Sequence, residues 1–97
     1  MTHYVAIVEE EPGKAVGVWF PDLPGCISAG DTIDEAIDHA AQALKLWAEA
    51  MVEGGQSIPP PRTLTELKAD PEIAPDLARY MVALVPLPDS LLRHAAE

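Results

Sequence analysis

Phe20-Pro21-Asp22-Leu23-Pro24-Gly25-Cys26 opens the stretch, residues 20–54, that decides the fold. Its prolines and glycine predict a stiff turn that ends one strand and leads to another. A helix follows, because Thr32 and Glu35 have the spacing of a capping box, in which Glu35 reaches back to the amide of Thr32. Gly54-Gly55 is predicted to end this helix, since glycine adopts the left-handed conformation at helix C-termini. The helix is then about 21 residues long, or roughly 32 Å, and is the only long helix that the sequence supports.

One face of this helix is predicted to be apolar and the opposite face charged. The apolar face, at about 100° per residue, consists of Ile33, Ile37, Ala40, Leu44, Trp47, Ala48 and Met51. The opposite face consists of Asp34, Asp38, Gln42, Lys45, Glu49 and Glu53. Leu46 departs from this pattern, because it lies with His39, Ala43 and Ala50 in a row beside the apolar face. Either later residues of the chain cover this row or a partner protein does.

The flanking segments predict a small sheet. Three strands precede the helix, at residues 3–8, 15–20 and 26–28, with Pro12-Gly13 in the first turn. After the helix we expect an extended proline-rich connector at 58–62 and then a short helix at 63–68, capped by Thr63 and Glu66. A strand is predicted at 79–87, and Pro86 limits it to the edge of the sheet. A last short helix is predicted at 91–96.

The predicted fold class is therefore α+β. It consists of an antiparallel three-stranded meander, one long helix and a further strand (β-β-β-α-β), with a short C-terminal helix. We expect a single domain over residues 1–97, with a core at 1–57, a connector at 58–78, and the last strand and terminal helix at 79–97.

The composition is that of an ordinary globular domain, but the charge is strongly acidic. The formal net charge is −10; residues 1–60 carry ten acids and two bases (−8), and residues 61–97 carry six acids and four bases (−2). This balance argues against unaided nucleic-acid binding, which needs clustered Lys and Arg. It fits a basic protein partner, or acidity that only maintains solubility. No leader pattern or membrane-spanning apolar run is visible, so we predict a cytoplasmic protein that does not enter a membrane.

The residue types that carry chemistry are present only in weak arrangements. Glu35 and His39 are spaced to share a metal, but no third ligand is evident. Four carboxylates lie near one end of the helix: Asp22, Asp31, Asp34 and Asp38. A two-metal nuclease site would need several of them to converge on one point. Cys26 needs a neighbouring base such as His3 or His39 to be a nucleophile, and is otherwise a small buried residue. His94 has no partner at a telling spacing. We therefore predict no catalytic residues, no metal and no cofactor.

Trp19 suggests binding instead. It lies on the strand face opposite Val16, Val18 and Phe20, so it faces outward if those residues face the helix. An outward Trp is typical of binding hot spots; alternatively, the last strand or a loop covers it. For protein binding we predict Trp19, Asp38, Ala43, Leu46, Glu49 and Ala50.

These residues also carry a resemblance to a known family. The segments Tyr4–Glu9, Gly17–Cys26 and Ser28–Thr32, followed by Glu35-Ala36 and Ala43-Leu44, resemble the HicB family of bacterial antitoxins over roughly residues 1–60. The resemblance implies a partial ribonuclease-H-like core without the nuclease's catalytic residues. It also implies a partner, a small basic HicA-type toxin that cleaves mRNA and whose active site the antitoxin masks.

The resemblance implies homodimers or tetramers as well, and often a C-terminal DNA-binding module. Here Pro88–Arg93 resembles only the first helix of such a module, so we do not expect autonomous binding to operator DNA. Two other functions stay open: an orphan HicB-like homo-oligomeric interaction or regulatory module without a toxin, and a metal-dependent nuclease.

Overall fold

The structure is a computed structural model that describes residues 2–91. Its elements are β1 (Thr2–Glu9), β2 (Val16–Trp19), β3 (Ile27–Gly30), α1 (Ile33–Glu53), α2 (Leu64–Lys68), α3 (Ala74–Arg79) and β4 (Met81–Leu87). The strands form one antiparallel sheet in the order β3-β2-β1-β4. The predicted α+β class is confirmed. The predicted terminal helix lies almost wholly in residues 92–97, outside the described residues, and so do Arg93 and His94.

Helix α1 covers one face of the sheet, which we call the helix face. Alternate strand residues point toward it; those that are buried include Tyr4, Ala6, Val8, Val16, Val18, Val85 and Leu87. The helix itself buries Ala36, Ala40, Leu44 and Ala48, while Ile33, Ile37, Trp47 and Met51 are half-buried around them. The centre of the buried stripe is therefore mostly alanine, which lets the helix lie close to the sheet.

Gly30 marks the closest approach between helix and sheet. An added Cβ at Gly30 would lie 2.5 Å from the backbone nitrogen of Ala36 and 2.9 Å from its Cα. Gly30 is buried in β3 opposite Val16. Only glycine lets the end of β3 pass this close to the first turn of α1.

The other face of the sheet, which we call the second face, is partly covered by the segment after α1. Val5 and Ile7 point to this face and are 3% and 0% exposed. Leu64 of α2 lines a depression together with Val5 and Val82, and Leu67 is fully buried. Helix α2 therefore lies on the second face, with Leu64 beside β1 and β4.

A polar cluster holds the connector against the turn that follows β2. The backbone N–H and Nε of Arg62 each donate to Asp22 at 2.7 Å, and Arg62 Nη1 donates to Asp70 at 2.9 Å. The hydrogen bond from Arg62 lowers the pKa of Asp70. Nearby, Tyr4 donates its hydroxyl proton to the carbonyl of Pro59 at 2.5 Å. Burial, and then the charge of Asp22, raises the pKa of Tyr4 to about 12.

The caps of α1 differ in detail from the prediction. The Thr32 hydroxyl accepts from the Glu35 amide at 3.1 Å, as expected. The Glu35 carboxylate, however, accepts from the Asp31 amide at 3.2 Å instead of from Thr32. At the other end Gly55 has the positive φ, 70°, whereas Gly54 has φ −79°. The second capping box, at Thr63 and Glu66, is complete.

Several strand boundaries and one helix were predicted wrongly. Strand β1 is one residue longer than predicted at each end, β2 is one residue shorter at each end, and β3 ends at Gly30 instead of residue 28. Strand β3 starts at Ile27, because the Cys26 amide still belongs to the preceding turn and donates to the carbonyl of Leu23. Helix α3 was not predicted, and it extends through Arg79, so β4 starts at Met81. In the described residues, no helix is long and apolar enough to span a membrane.

Candidate protein-binding site

Several of the groups considered for chemistry are buried or have structural partners. Cys26 is 2% exposed, and burial raises the pKa of its thiol to about 11, so it stays protonated. The Asp22 carboxylate is held by Arg62. His39 Nδ1 lies 2.8 Å from the carbonyl of Ala29 and ties α1 to β3. Among residues 2–91 no group of three His, Cys, Asp or Glu side chains is placed to hold a metal ion.

The clearest candidate site is on the outer flank of the C-terminal half of α1, which we call the helix-flank surface. Leu46 is 67% exposed there, and Ala50 beside it is also exposed. These two residues, with Glu49, Val52, Glu53 and Leu91, line an open depression of about 460 Å³. Leu91 reaches the rim from the chain that follows β4, but it leaves Leu46 uncovered. An exposed apolar floor with an acidic rim is suited to a protein partner that carries basic residues around an apolar centre.

The charges of α1 strengthen this match. The helix carries five acids and one base, Lys45, a net of −4, and no basic residue lies in its last turn. Glu49 and Glu53 lie near the helix C-terminus, where the helix dipole is itself negative. Neither carboxylate forms an ion pair within the part of the chain that the structure describes. Their position therefore costs stability and concentrates negative potential beside Leu46.

The predicted helix residues divide into near and distant members of this surface. Leu46, Glu49 and Ala50 lie together at the depression. Ala43 is half-buried, between the flank and the core. Asp38 is exposed, but it is eight residues before Leu46, about 12 Å along the helix axis. Asp38 therefore contributes to the field of the helix and does not line the depression.

Trp19 lies on the second face, away from the helix-flank surface. It is half-buried, and its indole Nε1 donates to Glu9 Oε2 at 2.6 Å. Across the sheet it pairs with Ile7 on one side and with Ile27 on the other. Ile27 is 70% exposed, and both side chains line a shallow depression of about 320 Å³. We call this the tryptophan surface. The sheet separates it from α1, so one flat partner surface cannot contact Trp19 and Leu46 together.

The sequence did not identify some of the exposed residues. Ile27 lies in a strand predicted too early by one residue, and Val52, Glu53 and Leu91 were not assigned to the flank. Leu84, 61% exposed in β4, was also missed. For the exposure of Leu84 the one available sequence signal was Pro86, which indicated that this strand lies at the edge of the sheet.

Comparisons with known proteins agree on one family. The sequence model of one protein family, described as "HicB_like antitoxin of bacterial toxin-antitoxin system", matches residues 4–96 of this chain. The crystal structure of the antitoxin HicB of Burkholderia pseudomallei is 34% identical, with a TM-score of 0.78, over 95% of this chain and 67% of that one.

Two further matches are more distant or less informative. A chain of the HicA3 and HicB3 toxin-antitoxin complex has a TM-score of 0.70 at 23% identity, over 90% of this chain and 99% of that one, and shows a shared fold. An uncharacterized 14.9 kDa protein of Haemophilus phage HP1 is 35% identical over 72 residues, which are 74% of this chain and 53% of the phage protein. The chain thus spans about half the length of that relative.

Proposed function

This chain belongs to the HicB-like antitoxin family of bacterial toxin-antitoxin systems, and we propose that it neutralises a small, basic, mRNA-cleaving toxin of the HicA type. Neutralisation is by binding and masking of the toxin's active site, in the cytoplasm where mRNA is translated. A HicB3 protein of the same fold occurs in a complex with a HicA3 toxin. The net charge of −10 supports a basic partner.

The toxin-binding site that we propose is the helix-flank surface. The observation that carries it is the exposure of Leu46, at 67%, on a depression rimmed by Glu49 and Glu53. An apolar anchor inside a charged rim is the usual arrangement of a protein interface. The acids would accelerate encounter with a basic toxin, while Leu46 would be desolvated in the complex and slow dissociation.

The function is tested by coexpression. A small basic toxin encoded beside this gene is induced in a bacterial host with and without the chain, and growth and mRNA cleavage are followed. We expect the chain to restore growth and to copurify with the toxin. Failure to restore growth with every neighbouring toxin candidate would refute the antitoxin function and favour the orphan homo-oligomeric module.

The site is tested separately with two matched substitutions. Leu46→Arg places a positive charge on the helix-flank surface, and Ile27→Arg places one at a residue of similar exposure on the tryptophan surface. We expect Leu46→Arg to abolish copurification and growth rescue, and Ile27→Arg to retain both, with unchanged circular dichroism in each. The opposite result would move the toxin to the tryptophan surface, with Trp19 as its anchor.

The electrostatic part has its own readout. Replacing Glu49 and Glu53 by Gln should slow association with the toxin on the order of tenfold at low salt, and should flatten the dependence of the association rate on salt. Replacing Glu10 and Glu72 by Gln is the control, because both are exposed outside the helix-flank surface and the change in net charge is the same. Equal effects of the two pairs would show that only net charge matters.

A further inference from the structure

The tryptophan surface holds a carboxylate that has no cationic partner within residues 2–91. Glu9 is half-buried at the end of β1, and its Oε2 accepts a hydrogen bond from the indole Nε1 of Trp19 at 2.6 Å. None of the ion pairs among the described residues includes Glu9. A carboxylate that has lost part of its water is stabilised when a cation compensates for the loss. Glu9 therefore has the position of one half of an ion pair.

Gly17 leaves the space beside this carboxylate open. Glu9 lies directly opposite Gly17 in the sheet, and Trp19 follows two residues along β2 on the same face. Because Gly17 has no side chain, the indole of Trp19 can lean diagonally across it to Glu9. An added Cβ at Gly17 would meet nothing within 4 Å. The result is a depression of about 320 Å³ that is lined by all three residues and by Ile27.

The second acid in the lining of this depression, Glu11, already has cationic neighbours. Lys14 Nζ lies 3.4 Å from Glu11 Oε2, and Arg79 Nη2 lies 3.5 Å from Glu11 Oε1. The Tyr80 hydroxyl also donates to Glu11 Oε1, at 3.4 Å. These contacts engage Lys14, which is the basic residue in the lining. The uncompensated negative charge of the depression is therefore that of Glu9.

We propose that the tryptophan surface binds an arginine side chain of a partner protein, with the guanidinium against the Trp19 ring and the Glu9 carboxylate. A guanidinium is planar, stacks on aromatic rings and donates hydrogen bonds in fixed directions. Trp19 supplies the stacking surface. Glu9 Oε1, which accepts no hydrogen bond within the described chain, accepts from the guanidinium. The ammonium group of lysine is more strongly hydrated and is less suited to an open site of this kind.

The same combination of groups already holds an arginine elsewhere in the chain. Arg79 Cζ lies 4.9 Å from the centroid of the Tyr80 ring, and Arg79 Nη2 lies 3.5 Å from Glu11 Oε1. There an aromatic ring and a carboxylate together bind one guanidinium. Trp19 and Glu9 are a second aromatic ring and carboxylate, in hydrogen-bond contact with each other, and lack the arginine.

The edge of the sheet beside the depression favours an extended protein segment as the carrier of the arginine. Strand β3 lies at one side of the sheet. The Ala29 carbonyl lies 2.8 Å from His39 Nδ1, so it points away from β2. Outward-pointing and inward-pointing backbone groups alternate along a strand, so Ile27 also directs its N–H and carbonyl outward. A partner segment can therefore pair with β3 at Ile27, whose side chain is 70% exposed, whereas His39 closes the edge at Ala29.

The arginines of this chain do not fit this role. Within the described residues, Arg62 is bound by Asp22 and Asp70, and Arg79 is bound by Glu11. This favours a different protein over a second copy of the chain. The sheet separates the tryptophan surface from the helix-flank surface, so the two surfaces can be occupied at the same time.

The test is a titration of the purified full chain, followed by heteronuclear NMR, with two matched peptides. Each is a short extended peptide of alternating valine and threonine; one has a central arginine and the other has the neutral isostere citrulline there. The arginine peptide should shift the indole Nε1–H signal of Trp19 and the amide signal of Ile27 in a saturable way. The indole signal of Trp47, on the helix side of the sheet, should not move. The citrulline peptide should bind about tenfold more weakly.

Two substitutions identify the carboxylate. Glu9→Gln should weaken the arginine peptide about tenfold and leave the citrulline peptide unchanged, since the glutamine can still accept from Trp19. Glu10→Gln is the control, because Glu10 is exposed, adjacent and outside the lining, and the change in net charge is the same. It should leave both affinities unchanged.

Four results would overturn the proposal. They are the absence of a saturable shift, equal affinities for the arginine and citrulline peptides, equal effects of the two substitutions, and a shift of the Trp19 signal when the chain alone is concentrated. The last result would place a second copy of the chain on this surface. Neither experiment contains a toxin, so this proposal can fail while the antitoxin function holds.

Discussion

Substituting Gly30 by Ala tests the central packing contact of the fold. The new Cβ would lie 2.5 Å from the Ala36 nitrogen, and 2.9 Å from the Ala36 Cα and the Glu35 carbonyl carbon. Ordinary carbon contacts lie at about 3.5–4.0 Å, so β3 and the first turn of α1 would have to separate by about 1 Å. All three atoms belong to the backbone of a capped helix turn, and no side chain can rotate away to relieve the contact.

The expected cost follows from overpacking. Inserting one methyl group into a well-packed core destabilises a protein by about 1–3 kcal/mol. With a urea m-value of about 1–1.5 kcal/mol per molar for a chain of this size, the unfolding midpoint of Gly30→Ala should fall by about 0.7–3 M. The measurement is equilibrium urea unfolding followed by circular dichroism, at one protein concentration for all variants because association also stabilises the folded state.

Gly17→Ala is the matched control. Gly17 lies in β2, within the same sheet, but an added Cβ there would meet nothing within 4 Å. Alanine is also the better residue in a strand by about 0.5–1 kcal/mol, so this midpoint should stay equal or rise. If Gly30→Ala unfolds at the wild-type midpoint, or if Gly17→Ala falls equally, the close approach of β3 to α1 is not what requires glycine at position 30.

Three further predictions concern buried polar groups. Cys26, with a thiol pKa of about 11, should react with a disulfide reagent far more slowly in the native protein than in urea; equal rates would refute its burial. The pKa of Tyr4 rises from 10.0 to about 12 on folding, so its contribution to stability is complete below pH 10 and is lost as the pH rises toward 12. In urea unfolding midpoints measured between pH 8 and 11.5, Tyr4→Phe should flatten this loss. The variant also removes the hydrogen bond to Pro59. Arg62→Met should lower the urea unfolding midpoint, because it leaves the Asp22 carboxylate, 8% exposed, without its ionic partner. Adding Asp22→Asn to this variant should recover part of the loss. Strictly additive effects of the two substitutions would argue against a stabilising ion pair between Arg62 and Asp22.

Local sequence signals predicted the elements that depend on neighbouring residues. The cap at Thr32 and the glycines at 54–55 placed α1 at Ile33–Glu53, as observed. Alternation in the first hairpin placed Val16 and Val18 toward the helix. Helix α3 escaped prediction because it is short, has Pro75 near its start, and lacks a side-chain cap, so contacts with the rest of the fold decide whether it forms.

The candidate sites were predicted only in part. Periodicity separated Leu46 from the apolar face of α1, and the structure leaves it exposed. Its grouping with Val52, Glu53 and Leu91 depends on where the chain after β4 returns to the helix, and no local pattern encodes that. Likewise the sequence placed Trp19 opposite the core-facing residues. That the sheet keeps Trp19 and Leu46 on separate surfaces follows only from the packing of α1 on one face.

The sequence by itself determined where α1 begins and ends, the turn between Phe20 and Cys26, and which residues of β2 share a face. Capping, glycine conformation and side-chain alternation determine these features because they act within a few residues. Only the tertiary structure decided that β4 pairs with β1, where Tyr4 and Val85 are 81 residues apart, and that α2 covers part of the second face. Such pairings are selected by burial of apolar surface that the whole chain shares. They also decide which apolar residues, Leu46 and Leu84 among them, are left exposed.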